Sequence, residues 1–234
     1  MHDLIKRQEE IFASLEKFSS YGNVPDFAKR KEIQDYVNDD RICLTLIYFL
    51  PEGLRKEIYE RIIIPLQKAD KNQYYYPPES LHITINNIKI ISNPPNFKSD
   101  DITKLKYLES YFKGIKLEFL LNGLFIMSNG IAIKAYPNFT TNDFVLNLRD
   151  KLKEINVPDD KSYFSDEVII GNVTICRFYS QPNDELKQLV TKMKKINLGQ
   201  LKIQKISLIS ANLVCHPDKT KIFHQFKSSP TGHS

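Results

Sequence analysis

Apolar positions recur along the chain with two periods, near 3.6 and near 2, and these divide it into helices and strands. Leu4, Ile11, Leu15 and Phe18 fall at helical spacing, which predicts an amphipathic helix over 2–18, and DFAKRKEIQDYV (26–37) reads as a second helix. ICLTLIYFL (42–50) is an unbroken β-branched and aromatic run, the pattern of a buried strand, punctuated by Pro51 and Gly53. LRKEIYERIIIPLQKA (54–69) is periodic helix, and Pro65 predicts a kink or an early stop. A strand (79–91), a loop, a helix (101–114) and a strand (115–121) come next. The order then recurs. A hairpin over 124–137 turns at Asn129-Gly130, and a helix (142–155) and a strand (167–179) come after it. A helix opened by Asp184 or Asn183 and a strand over 201–215 complete the series.

The two halves read alike, as strand, helix, strand, helix, strand. SLHITIN (80–86) and GNVTICR (171–177) occupy the same slot in each, so His82 and Asn172 stand 90 positions apart in matching places. An internal duplication accounts for this. Duplicated units usually pack about a pseudo-two-fold axis, so the two motif strands are expected to be central in adjacent sheets and to face one cleft. Alternation puts Ser80, His82, Thr84 and Asn86 on one side of the first strand, and Leu81, Ile83 and Ile85 on the other. The same rule sets Asn172, Thr174 and Cys176 together and sends Arg177 to the opposite face unless the strand bulges.

Composition narrows the setting. A chain of 234 residues buries a core without staples. Cys43, Cys176 and Cys215 show no paired spacing, and the N-terminus is charged from residue 3 on, so a reduced, cytoplasmic protein is expected. No run approaches the roughly 18–20 apolar residues of a membrane span, so no membrane partner is expected. The net charge of +5 is modest and dispersed. It is compatible with a polyanionic ligand without demanding one, and it disfavours general RNA binding.

A histidine and a threonine two residues apart on a strand form a compact pair, an acid/base beside a hydroxyl donor. Two such pairs facing each other can hold a phosphate while one imidazole removes a proton and the other supplies one. LHITI (81–85) and NVTICR (172–177) resemble the motifs of the two-histidine (2H) phosphoesterase superfamily over roughly residues 41–215. The resemblance implies an α/β (α+β) fold, bilobal and duplicated, with two antiparallel-rich sheets around a central cleft. The expected divisions are a helical extension (1–38), a bilobal domain (39–228, lobes near 41–121 and 122–215 with termini that can cross over) and a disordered tail (229–234). It implies a metal-independent phosphodiesterase without cofactor, acting as a monomer on nucleotides or oligonucleotides with a 2′,3′-cyclic phosphate or 2′-5′ linkage. By position, His82 is a catalytic histidine, Thr84 and Thr174 hold the phosphate, and Arg177 matches a basic residue often found after the second threonine.

Asn172 departs from that pattern, since an amide does not titrate near neutral pH. Three explanations stand open: a degenerate enzyme that binds its ligand, an enzyme working with a substitute, or a substitution introduced to trap a ligand. A non-catalytic nucleotide-binding module on the same scaffold is the alternative function. Tyr76, with Tyr74 and Tyr75, precedes the first motif, and Phe178 and Tyr179 come after the second; these aromatics are candidates to stack on a base or to pack locally. His216 and His224 are candidates for the missing acid, and Cys176 reads as a small packed residue.

Overall fold

The computed structural model describes residues 2–20 and 35–227. Helix α1 (His2–Ser20) forms where the first pattern predicts it, but its buried line is Leu4, Gln8 and Phe12, with Ile11 and Leu15 only partly buried. The second predicted helix lies outside the described residues except at 35–37, where the chain bends. The predicted tail also lies outside them. Next come β1 (Ile42–Phe49), α2 (Glu52–Ile58), α3 (Ile64–Ala69), β2 (Tyr74–Tyr75) and β3 (His82–Ser92). Then α4 (Ser99–Lys106), α5 (Glu109–Phe112), β4 (Leu117–Met127), β5 (Gly130–Pro137), α6 (Phe139–Glu154) and β6 (Gly171–Arg177) succeed one another. The series closes with α7 (Asp184–Lys192), β7 (Asn197–Ile203), β8 (Lys205–Ala211) and β9 (Lys221–Lys227). Among the described residues no helix is long and apolar enough to cross a membrane.

Pro65 neither stops nor ends the helix it interrupts. A π turn (Tyr59–Ile63) joins α2 to α3, and the Ile64 N–H donates to the Tyr59 carbonyl five residues back. The proline then falls in the first turn of α3, where a missing N–H costs little. Both Asn138 and Asn183 cap helices, accepting from the N–H groups of Thr141 and Leu186. The β4–β5 turn is Ser128-Asn129, one residue earlier than the sequence suggests, because Gly130 already pairs with Met127.

Among the described residues, nine strands form two antiparallel sheets, in the orders β3-β1-β8-β9 and β2-β6-β5-β4-β7. The orders expose the duplication. In each sheet the motif strand (β3 or β6) pairs with the strand that opens its own half (β1 or β5), and the next place is taken by a strand from the other half. Thus β4 crosses to pair with β5, and β8 crosses to pair with β1. Two sequence readings change accordingly. The run 115–137 is one long strand and its hairpin partner, so a lobe boundary at 121/122 falls inside β4. The run 201–215 is two strands in different sheets, separated at Gln204. Neither short β2 nor β9 stands out in the sequence. The motif strands are also not both central, since β3 is an edge strand.

One face of each sheet packs into the main core, which holds Leu81, Ile83, Ile85, Ile133, Ala135, Val173 and Ile175 together with Leu148 of α6 and Val190 of α7. Burying each large aliphatic residue here contributes about 1.5–3 kcal/mol. Gly171 lets the sheets meet: a Cβ there would stand 3.1 Å from Ile83 and 3.0 Å from Phe119. Residues of β3 and β6 accordingly approach within 8 Å, Cα to Cα. The other face of each sheet carries the motifs. Thr84 stands opposite Ile47 and His82 opposite Phe49, while Thr174 stands opposite Ala132 and Asn172 opposite Lys134. Directly opposed residues share a face.

A tighter contact lies at the hairpin. A Cβ on Gly130 would sit 2.2 Å from the Cys176 carbonyl oxygen. Gly130→Ala is therefore expected to force β5 from β6 and destabilise by about 1–3 kcal/mol, lowering Tm by several degrees. An unchanged melt by circular dichroism would show that the ladder yields at no cost.

Candidate functional site

Each motif strand carries an extra residue, and the two bulges decide which side chains face the site. In β6 the pairing steps from Ala132↔Thr174 to Ile131↔Cys176, two residues against one. Such a bulge breaks alternation and re-aims the side chains beyond it. Ile175 and Cys176 are both fully buried, and Arg177 returns to the side of Asn172 and Thr174. Cys176 therefore leaves that face, against strict alternation, and packs in the core. In β3 the pairing steps from Leu46↔Asn86 to Ile47↔Thr84, and Thr45 Oγ1 donates to the Asn86 carbonyl at 3.1 Å. Asn86 departs from the His82–Thr84 set. Its side chain bonds the Tyr163 hydroxyl (3.1 Å) and the Asp159 carboxylate (3.4 Å) instead.

His82 opens β3 straight after the 3₁₀ turn Pro78–Ser80. Its Nδ1 lies 2.7 Å from the Ser80 carbonyl oxygen. A carbonyl only accepts, so Nδ1 carries the proton and Nε2 carries the lone pair. Burial lowers the His82 pKa from its ordinary 6.5, against the Ser80 hydrogen bond, and the Arg177 charge lowers it further. The imidazole is thus neutral near pH 7, a base at Nε2.

Across the seam, the Asn172 Nδ2 donates to Thr174 Oγ1 at 3.0 Å. Because the hydroxyl oxygen accepts that bond, its own proton is free to donate outward, as a phosphate oxygen requires. Arg177 is no loose surface cation. One terminal nitrogen donates to Asn129 Oδ1 at 2.8 Å, and Nε donates to the Tyr76 hydroxyl at 3.3 Å. Its charge lowers the His82 pKa in the same direction as burial does.

Two residues of this site were not among the site candidates read from the sequence, although Asn129 falls in the hairpin turn read there. Asn129, at the hairpin tip, orients Arg177 and accepts the Phe178 N–H at 3.1 Å through its backbone carbonyl. Cys215 places Sγ 3.7 Å from His82 Nε2. It is held by a left-handed turn (φ 48°) and by the Ser80 hydroxyl, which donates to its carbonyl at 2.9 Å. The Asn212 amide anchors that turn to the Tyr36 and Val37 carbonyls and accepts the His216 N–H. Burial pushes the Cys215 thiol well up, so the sulfur keeps its proton and can donate it to Nε2.

The remaining candidates separate. Tyr76 is 1% exposed, so it offers no stacking surface, and its hydroxyl serves Arg177. Tyr75 bonds the Leu66 and Asp70 carbonyls, and Tyr74 packs between Tyr36 and Tyr76. Phe178 leans on the core. Tyr179 remains 41% exposed, with its ring 4.9 Å from that of Tyr36. Neither terminal histidine joins His82. His216 accepts the Asp218 N–H, and His224 bonds Glu109 from β9 on the far edge of its sheet. A cavity of about 310 Å³ between α1 and residues 164–168 involves none of the motif residues.

Two antiparallel sheets from a strand-exchanged duplication, with paired motif strands at the seam, define the 2H phosphoesterase fold. Solved structures share it. E. coli LigT complexed with 3′-AMP aligns over 82% of this chain and 100% of its own, at TM-score 0.58 and 11% identity. TT0787 of Thermus thermophilus aligns over 82% and 99%, at 0.55 and 14%. The conserved protein of unknown function ATU0111 from Agrobacterium tumefaciens aligns over 91% and 96%, at 0.59 and 12%. No protein-family pattern matches the sequence, nor does any curated protein.

The electrostatic link is open to direct measurement. Arg177→Ala is expected to move the His82 pKa, followed by NMR of the ring protons, up toward the ordinary value from its lowered position. A downward move or none would place the guanidinium outside the site.

Proposed function

We propose that this chain handles nucleotide phosphodiesters in the 2H manner, on 2′,3′-cyclic phosphates or 2′-5′ linkages, with one of its two proton carriers replaced. The reading is supported by two adjacent motif strands, one carrying His82 with its Nε2 lone pair and the other carrying Asn172 bonded to Thr174, with Arg177 held by Asn129. In this scheme Thr84, Thr174 and Arg177 hold the phosphate. His82 Nε2 takes the proton from the attacking oxygen. The leaving oxygen needs a proton from the position of Asn172, and a neutral amide does not give one up. Binding therefore survives while the second transfer falls to water. LigT complexed with 3′-AMP supports a nucleotide in such a fold. The second reading, a nucleotide-binding module without turnover, rests on the same amide.

A positioned acid or base contributes roughly 10²–10⁴-fold in rate. Asn172→His is expected to raise turnover of a 2′,3′-cyclic nucleotide or 2′-5′ dinucleotide by about that factor with little change in affinity. The parent should show a single limb that rises with pH through a pKa below 6.5, where His82 loses its proton. The restored protein should show a bell, and His82→Ala should abolish its gain. Steady-state kinetics with chelator present test this. Unchanged turnover with binding intact would transfer the assignment to the binding module.

A further inference from the structure

Helix α1 lies across the same face of the second sheet that carries Asn172 and Thr174. Ala132 and Lys134, directly opposite those two residues, and Tyr136 two further along β5 are all on that face. Phe12 is fully buried there, its ring 5.1 Å from Phe125 and 5.2 Å from Tyr136, in one cluster with Ala132. The Gln8 amide fastens the helix to the Pro137 and Ile169 carbonyls at 3.0 and 3.1 Å. The Glu9 carboxylate accepts from Lys134 Nζ at 3.2 Å and from the Tyr136 hydroxyl at 2.5 Å. The lysine's ammonium is also drawn over the Phe12 ring, 5.2 Å from its centre. A carboxylate and a phenyl ring thus stand one strand away from Asn172, and Lys134, directly opposite it, is already engaged.

We propose that α1 is a specificity element: it walls the β5 side of the phosphate-binding face and limits the ligand to a nucleotide with a single phosphodiester. A polynucleotide continuing past β6 toward β5 would meet Phe12 and the Glu9 charge. Lys134 would be its natural phosphate partner, since it stands opposite Asn172, but Glu9 holds it. This rests on the phosphodiester reading above and adds the size of the ligand to it.

Glu9→Gln removes the charge, keeps an acceptor for Tyr136 and releases Lys134. Two probes are used: 2′,3′-cyclic AMP, and a six-residue oligoadenylate ending in a 2′,3′-cyclic phosphate. The parent is expected to bind the mononucleotide more tightly. In Glu9→Gln the oligonucleotide should gain about tenfold relative to the mononucleotide, the worth of one charge-assisted hydrogen bond. Its binding should also become steeper in salt by about 0.7 in log–log slope, one further phosphate contact on a single strand. Adding Lys134→Gln should cancel both changes. Arg7→Gln, which breaks an ion pair with Glu167 elsewhere on α1, should change neither. An unchanged ratio in a Glu9→Gln protein with a parental melt, or the same gain from Arg7→Gln, overturns the inference and leaves the phosphodiester reading in place. A parent that binds neither probe overturns both. If Glu9→Gln fails to fold, the parent decides the matter alone: equal or tighter binding of the oligonucleotide refutes the wall.

Discussion

One extra residue in β6 organises the site. Without the bulge at Ile175-Cys176, alternation would point Arg177 into the core side of the sheet and bring Cys176 out in its place. With it, the strand keeps two consecutive residues inside and delivers the guanidinium to the face of Asn172 and Thr174. The bulge in turn depends on the close approach of Gly130 to the Cys176 carbonyl, which no larger residue allows at that spacing. The hairpin tip that Gly130 terminates supplies Asn129, the partner of Arg177. A backbone irregularity and a missing Cβ thus determine where the site's cation stands, and that cation adds to the burial that keeps His82 toward its neutral form.

The repeat of motif strands was legible because its signal is local. Threonine and aliphatic residues recur with period two in both halves, and the order of elements recurs around them. The pairing of β8 with β1 was not legible, because those partners are far apart in sequence and leave no periodic mark on either strand, whereas the β4–β5 hairpin was announced by its turn residues. The same limit hid the edge position of β3. Alternation rules placed His82 with Thr84 and Asn172 with Thr174. They misplaced Cys176 and Asn86, both of which lie at bulges that the sequence does not announce. Tyr76 looked like a base shelf because an aromatic beside a motif fits both stacking and packing, and only its burial decides between them. Asn129 falls in a turn that the sequence does announce, but its bond to Arg177 depends on the β6 bulge, and Cys215 comes from a turn whose position depends on the whole fold.

The duplication also explains how one half can change while the other stays intact. The first motif builds its base from local parts: a 3₁₀ turn supplies the Ser80 carbonyl, and that carbonyl fixes the tautomer of His82. The second motif needs only a strand and a hydroxyl for its phosphate contact. The amide at 172 bonds Thr174, so the hydroxyl oxygen has a partner on its own strand. On the phosphodiester reading, what the amide cannot supply is confined to proton transfer.

That asymmetry bears on what the site stabilises. Threonine hydroxyls and a fixed guanidinium attract a phosphodiester in its ground state and its transition state alike, and uniform attraction of this kind improves binding without accelerating reaction. A proton donor acts differently, because its hydrogen bond strengthens as charge develops on the leaving oxygen. With His82 neutral and Asn172 unable to ionise, the motif residues retain the uniform part and one half of the differential part. The neutral imidazole even begins with its lone pair facing the Cys215 thiol, so a substrate oxygen must displace that contact to reach Nε2. On the phosphodiester reading, such an arrangement holds its ligand through groups that need carry no proton, and turns it over slowly because only one of the two positions can carry one.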